Sequence, residues 1–211
     1  MKFFRATLVA NSYLYFYSTE FLKTTTVNKV LHNWALMFAL NDIKADPEKR
    51  HLENLKNVNF YCTPAIPKKV DSQSFLLNPV PEDTGAGKLG IMRIEKFIPG
   101  SEFEFIVMSK NDKEPTEIIS YGKKKSHHTV KYNELKIKSE YKEKIHIRTK
   151  QFINPLDFKR IKNIQYAKKY PMKPSPLYMV EADFYDVFVL SKIKNFQQIF
   201  PANFPYLEEA K

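Results

Sequence analysis

Histidine and lysine meet in "YGKKKSHHTVK", residues 121–131, and that combination suits one kind of chemistry. A neutral imidazole can take the proton of a ribose 2′-hydroxyl while neighbouring ammonium groups stabilise charge on the attacked phosphate. His127 or His128 would be the base in such metal-independent RNA cleavage. The competing reading is a solvated segment that only touches phosphates. Adjacent strand residues point to opposite faces, so the two imidazoles cannot both face one substrate. The remaining histidines, His32, His51 and His146, form no His-Glu-x-x-His pattern, and the lone Cys62 leaves no zinc spacing. No metal and no cofactor is expected.

"TGAGKLG" (Thr84 to Gly90) resembles a phosphate loop only superficially. A P-loop separates its glycines by four residues, then places Gly-Lys-Ser/Thr at the start of a helix. Here Leu89 follows Lys88, and the next run, "IMRIEKFI", is strand-like. The backbone and Lys88 can approach an RNA backbone, but nucleotide hydrolysis is not expected. Glu102 and Glu104 share a strand face near Lys96 and Lys110, which suits surface pairing rather than acid–base work. No serine sits in a nucleophile-elbow setting. A catalytic constellation is therefore not expected.

The most informative pattern is "KEKIHIRTK". Lys142, Lys144, His146, Arg148 and Lys150 share one parity, and Ile145 and Ile147 the other. On a strand this gives one cationic and one apolar face. Cations about 6.8 Å apart, two strand residues, match the phosphate spacing of an extended single strand. Lysines contact phosphates without regard to sequence, while tyrosine and histidine can stack on unpaired bases. The predominance of lysine argues against bidentate base reading.

The net charge of +11 is concentrated in the same region. Residues 1–112 hold 14 Lys+Arg and 12 Asp+Glu, residues 113–173 hold 17 and 6, and residues 174–211 hold 3 and 5. The excess thus lies in one 61-residue segment, as 17 minus 6 is 11. Such a footprint favours a polyanion partner, nucleic acid or an acidic surface. The bland alternative is a set of solvated lysine-rich faces. Hydrophobic residues at 43% supply a packed core. One cysteine fits a reducing compartment. Arg5 interrupts the N-terminal apolar run, and no run reaches the roughly 20 residues that span a bilayer. A cytoplasmic protein with no membrane partner is expected.

These residues need elements to hold them. Phe3 to Val9 reads as an opening strand, with Tyr13 to Tyr17 as its continuation or partner. "STEFLKTTTVNKV" reads as a polar connector. "VLHNWALMFAL", residues 30–40, reads as a helix of about three turns with Asn28 as N-cap. Short β-rich runs follow: "VNFYCT", "VDSQSFLL", "LGIMRIEKFI", "SEFEFIVMS", "PTEIISYG" and "KEKIHIRT". Pro99-Gly100 is a hairpin turn signal. "INPLDFKRIK" restarts a helix with Asn154 at its cap and Pro155 in its first turn, and "LYMVEADFYDVFVL" is a late strand. The pattern predicts an α+β fold in which an antiparallel sheet packs on one main helix. Its simplest form is ferredoxin-like βαββαβ elaborated with β-hairpins. No repeat or boundary divides residues 1–211, so one domain with a basic β-rich segment at 113–173 is expected.

"LYFYSTEFLKTTTVNKVLHNWALMFAL" resembles the Cas-five-type (Csc-one) family of type I-D CRISPR surveillance complexes. An early strand and polar linker there precede a helix with a Leu-His-Asn-aromatic-Ala-Leu core. "FYCTPAIP", the loop ending in "GKLG", "IPGSEFEFIVMS" and "ISYGKKKS" follow in the expected order. The resemblance spans residues 3–131 well and the C-terminal third weakly. It implies a RAMP-class, RRM-related fold without catalysis that caps the 5′ handle of the guide RNA. It also implies partners: the large subunit, the first backbone subunit and, indirectly, target DNA. Residues expected to meet RNA near the helix are Lys23, Asn28, His32 and Asn33, with Lys88 in the glycine loop. In the basic segment they are Tyr121, Lys123, Lys124, Lys125, His127 and His128, then Lys144, Arg148 and Lys150. For His32 and Asn33, internal capping and packing competes with RNA contact, because free N–H groups at a helix start attract either a carboxylate or a phosphate. Two other functions stay open: a RAMP-class endoribonuclease that cuts repeat RNA, and a basic scaffold of another ribonucleoprotein.

Overall fold

A computed structural model of the chain describes residues 1–16, 19–21, 24–44, 46, 48–55, 58–77, 92–122, 126–136, 139–193 and 196–202. Strands dominate. In chain order the elements are β1 (Lys2–Val9), β2 (Thr19–Phe21), β3 (Thr24–Thr26), α1 (Asn33–Leu40), α2 (His51–Asn54), β4 (Phe60–Cys62), β5 (Ile66–Lys69) and β6 (Ser72–Leu77). Then come β7 (Met92–Phe97), β8 (Glu102–Ser109), β9 (Ile118–Tyr121), β10 (Ser126–Glu134), β11 (Ser139–Arg148) and a 3-10 turn at Pro155–Asp157. β12 (Ile161–Tyr170), β13 (Leu177–Ile193) and β14 (Phe196–Pro201) finish the fold. No helix among the described residues is long and apolar enough to cross a membrane.

The described strands form three sheets. The first runs β4-β8-β1-β10-β9, with β5 also paired to β8. Its pairs are antiparallel, and the register sets Phe4, Ala6 and Leu8 opposite Val107, Phe105 and Phe103. That face is covered by α1, whose Trp34, Leu36, Met37 and Leu40 join the main core. Each fully buried side chain of this size contributes roughly 1.5–3 kcal/mol. β8 explains how two layers meet it. Glu102 and Glu104 alternate with Phe103 and Phe105, but from Phe105 to Ser109 every residue is buried. Ile106 and Met108 therefore lie beneath a second cover, and Phe3, opposite Met108, meets Phe200 of β14 edge-on at 5.5 Å. The second sheet is β11-β13-β12 with β14 on β13, and the third is β2-β3-β7-β6. Val180, Ala182, Phe184, Val187 and Val189 of β13 form a second core with Ile153, Phe158 and Ile199.

Several expectations are corrected. The helix starts at Asn33 with His32, not Asn28, as its N-cap. Leu31 is extended and exchanges both backbone bonds with Ala65, which excludes it from the helix. Part of the polar connector forms the antiparallel strand pair β2–β3. Pro99-Gly100 does make a turn, with Gly100 at φ 86°, but β7 and β8 belong to different sheets, so it is no hairpin. The helix at "INPLDFKRIK" stops after one 3-10 turn capped by Asn154, and strand β12 follows. Ile161 and Ile164 have helical spacing because a bulge interrupts β12, where Asn163 takes φ 49° and the register shifts between Lys162 and Tyr166. An inserted residue turns a two-residue period into three.

Candidate nucleic-acid interface

On β11, Ile145 and Ile147 pack on the second core, while Lys144, His146 and Arg148 are exposed on the opposite face. The parity expected of this strand holds. What the sequence did not reveal is the partner row. β13 runs antiparallel beside β11 and sets His146 opposite Asp183 and Arg148 opposite Glu181. Lys144 Nζ lies 3.0 Å and His146 Nδ1 2.8 Å from the Asp183 carboxylate, and Asn163 Nδ2 donates to it at 2.7 Å. Arg148 is 3.6 Å from Glu181. Donation from Asn163, Lys144 and His146 holds the Asp183 carboxyl down at about 2. Cations from one strand are thus fixed by acids from the next.

Aromatic rings fill the spaces between them. The Arg148 guanidinium lies 4.8 Å from the Tyr166 ring centre. Arg160 lies 4.4 Å and Lys144 Nζ 5.7 Å from the Tyr185 ring centre. Arg160, Tyr166 and Tyr185 were not singled out in the sequence, since only strand pairing brings them beside β11. Lys150 follows the strand and is exposed. A surface of fixed cations interleaved with tyrosines can hold phosphates and stack unpaired bases.

The other expected residues fall in two further places. Lys23, Lys88, Lys123, Lys124 and Lys125 lie outside the described residues. His127 is exposed on β10 with Ser120 Oγ 3.2 Å from its Nδ1, whereas His128 is fully enclosed. His128 Nδ1 accepts the Asn11 N–H at 3.2 Å, so its proton resides on Nε2, 3.2 Å from the Tyr121 carbonyl. Burial pushes its pKa down, and the ring is a neutral structural bridge. Tyr121 is buried too, and its hydroxyl has no hydrogen-bond partner among the described residues. Asn28, His32 and Tyr121 border one narrow cavity of about 100 Å³ with Phe16 and Lys173. Glu104 pairs with Arg5 at 2.7 Å and Glu102 with Lys68 at 2.8 Å, a surface pairing with partners distant in sequence.

His32 and Asn33 belong to a buried network. His32 Nδ1 accepts the Trp34 N–H at 3.1 Å, and its Nε2 faces Ser175 Oγ at 3.0 Å. Asn33 Nδ2 donates to Asp157 Oδ2 at 2.6 Å, and Trp34 Nε1 donates to Asp157 Oδ1 at 2.8 Å. Asn154 caps the 3-10 turn and accepts from Ser175 Oγ at 3.3 Å. Burial pushes Asp157 up to about 7, opposed by donation from Trp34 and Asn33. Asp157 was missed, though it carries one signal: it is the sole acid between Glu143 and Glu181. Groups near residue 33 and residues 154–175 thereby tie α1 to the segments that lead into the second sheet.

A family model described as "Type I-D CRISPR-associated protein Cas5/Csc1" matches residues 1–209. No curated protein matches the chain. Among solved structures, the chain is similar to one in "Cryo-EM structure of the Type III-B Cmr-beta bound to cognate target RNA and AMPPnP, state 1", with 9% identity, 86% of each chain covered and a TM-score of 0.47. It is also similar to one in "Cryo-EM structure of the Type III-B Cmr-beta bound to cognate target RNA", with 10% identity, 86% of each chain covered and a TM-score of 0.46.

Proposed function

The chain belongs to the type I-D CRISPR-associated Cas5/Csc1 family, and from that membership we propose that it is a non-catalytic subunit binding the 5′ handle of the guide RNA. In this reading it caps the handle and links the large subunit to the backbone of a cytoplasmic surveillance complex, supporting target DNA recognition. The observation that carries the RNA-binding part is the outer face of β11, β13 and β12. There Lys144, His146, Arg148 and Arg160 stand among Tyr166 and Tyr185. Cations fixed by Asp183 and Glu181 lose less side-chain freedom when a phosphate arrives. The order β10-β1-β8-β4, with α1 between β1 and β4, supports a ferredoxin-related plan. In the basic segment, Lys123 to Lys125 and Lys150 extend the set of residues proposed to meet RNA.

The test is to purify the protein with its genomic neighbours and sequence the bound RNA. A common repeat-derived 5′ remnant is the expected result. Heterogeneous RNA without a shared 5′ end would reject handle capping in favour of a generic scaffold.

A further inference from the structure

The second core does not end under cover. Beyond the 3-10 turn, a groove of about 410 Å³ opens between Pro155–Leu156 and strand β12. Ile161, Ile164, Ala167 and Tyr178 line it, and Val180, a member of the second core, forms its floor. Leu156 is 50% and Ile164 58% exposed, more than most large apolar side chains among the described residues. We propose that this groove is a docking site for an acidic segment of a partner protein that carries large apolar anchors. The proposal rests on reading the chain as a subunit of a multiprotein complex.

Two features favour that occupant. The groove is preformed. Its Leu156 wall adjoins Asp157, clamped by Asn33 and Trp34, and its Ser175 wall is held by His32. Little ordering is then needed on binding. The groove also carries one sign of charge. None of its lining residues is acidic, and the neighbouring carboxylate, Asp157, is buried. Lys169 stands opposite Tyr178 and so shares the groove's face. The charge complements an acidic partner and opposes a second copy of this chain. The lining is chiefly aliphatic, which suits protein side chains rather than nucleobases, for which aromatic platforms are used.

A photocrosslinking side chain, benzoylphenylalanine, in place of Ile164 tests this in the ribonucleoprotein assembled with its co-expressed neighbours. The expected product is one dominant adduct with a peptide of another subunit that is richer in Asp and Glu than in Lys and Arg. Ile164→Asp should reduce co-purification of that subunit by roughly tenfold or more, while Ile164→Met retains it. Lys169→Glu, at an exposed side chain, should weaken it with no change in the melting curve, which keeps the test open if Ile164→Asp misfolds. Adducts confined to RNA, to a second copy or to residues 203–211 of the same chain would overturn the proposal, as would none at all. RNA binding by the isolated wild-type protein separates the two readings. Its absence alone would strike at the RNA face, and absence of the protein adduct alone at the groove.

Discussion

Asn33 and Asp157, 124 positions apart in sequence, are joined by a buried hydrogen bond of 2.6 Å. Trp34 donates to the same carboxylate at 2.8 Å, so two neighbouring residues of α1 depend on one distant acid. Asp157→Ala leaves both donors unsatisfied and should destabilise the fold by roughly 2–5 kcal/mol. Trp34→Ala adds a cavity to the lost bond and should cost about 3–5 kcal/mol. Urea denaturation of both variants measures this, and native-like stability of either would contradict the network.

The same carboxyl gives a pH dependence. Its native pKa of about 7 lies above the ordinary 3.8, so the folded state holds this proton more tightly than the unfolded one. The resulting stabilisation is complete below about pH 3.8 and is lost as pH rises to about 7, up to about 4 kcal/mol in all. The stability of the wild type relative to Asp157→Asn should therefore fall across that window and stay flat above it.

His128 carries the opposite sign. Burial lowers its pKa below 6.5, so its contribution is present above that value and lost as pH falls through the native one. Nitrogen-15 NMR at pH 7 should find the neutral ring protonated on Nε2. A ring protonated on Nδ1 would break the bond from Asn11. Repeat RNA should remain uncut by the pure protein in EDTA and in magnesium. Specific cleavage abolished by His127→Ala would establish an endoribonuclease.

Salt titration addresses the cationic face. If Lys144, Arg148 and Lys150 each neutralise a phosphate, replacing all three with Ser should flatten the slope of log affinity against log salt by about two units. All sequences should weaken alike. Folding should survive, since Ile145 and Ile147 carry the burial on the other face. An unchanged slope would place the RNA elsewhere.

Tyrosine replacement separates stacking from charge. Tyr185→Ala should weaken single-stranded RNA binding by about 1–3 kcal/mol if a base stacks there. The salt slope should hold, because no cation is removed. A Tyr185→Phe variant should bind as wild type does. Equal loss from both would assign the effect to the hydroxyl.

Local pattern was enough for much of this chain. The alternation in "EFEFIVMS" and "KEKIHIR" determined strands and their faces, because a side-chain period of two depends only on neighbours along the chain. The confinement of the charge excess to residues 113–173 was equally local. The helix core was visible, but its start was not. Whether Val30 and Leu31 coil or extend was decided by the exchange of hydrogen bonds between Leu31 and Ala65. β12 was hidden for a related reason, as its bulge disguised the period.

Partnership across long sequence distances was decided by tertiary structure alone. Nothing in "KEKIHIR" names Asp183 and Glu181 as its counterions; the antiparallel register of β11 on β13 does. Nothing in "HNW" names Asp157. Buried donors require an acceptor, which the sequence alone could state as a need, but the packing of the 3-10 turn against α1 chose the carboxylate. Hydrophobic periodicity encodes which face is buried, while the identity of the group across from it is a property of the folded chain.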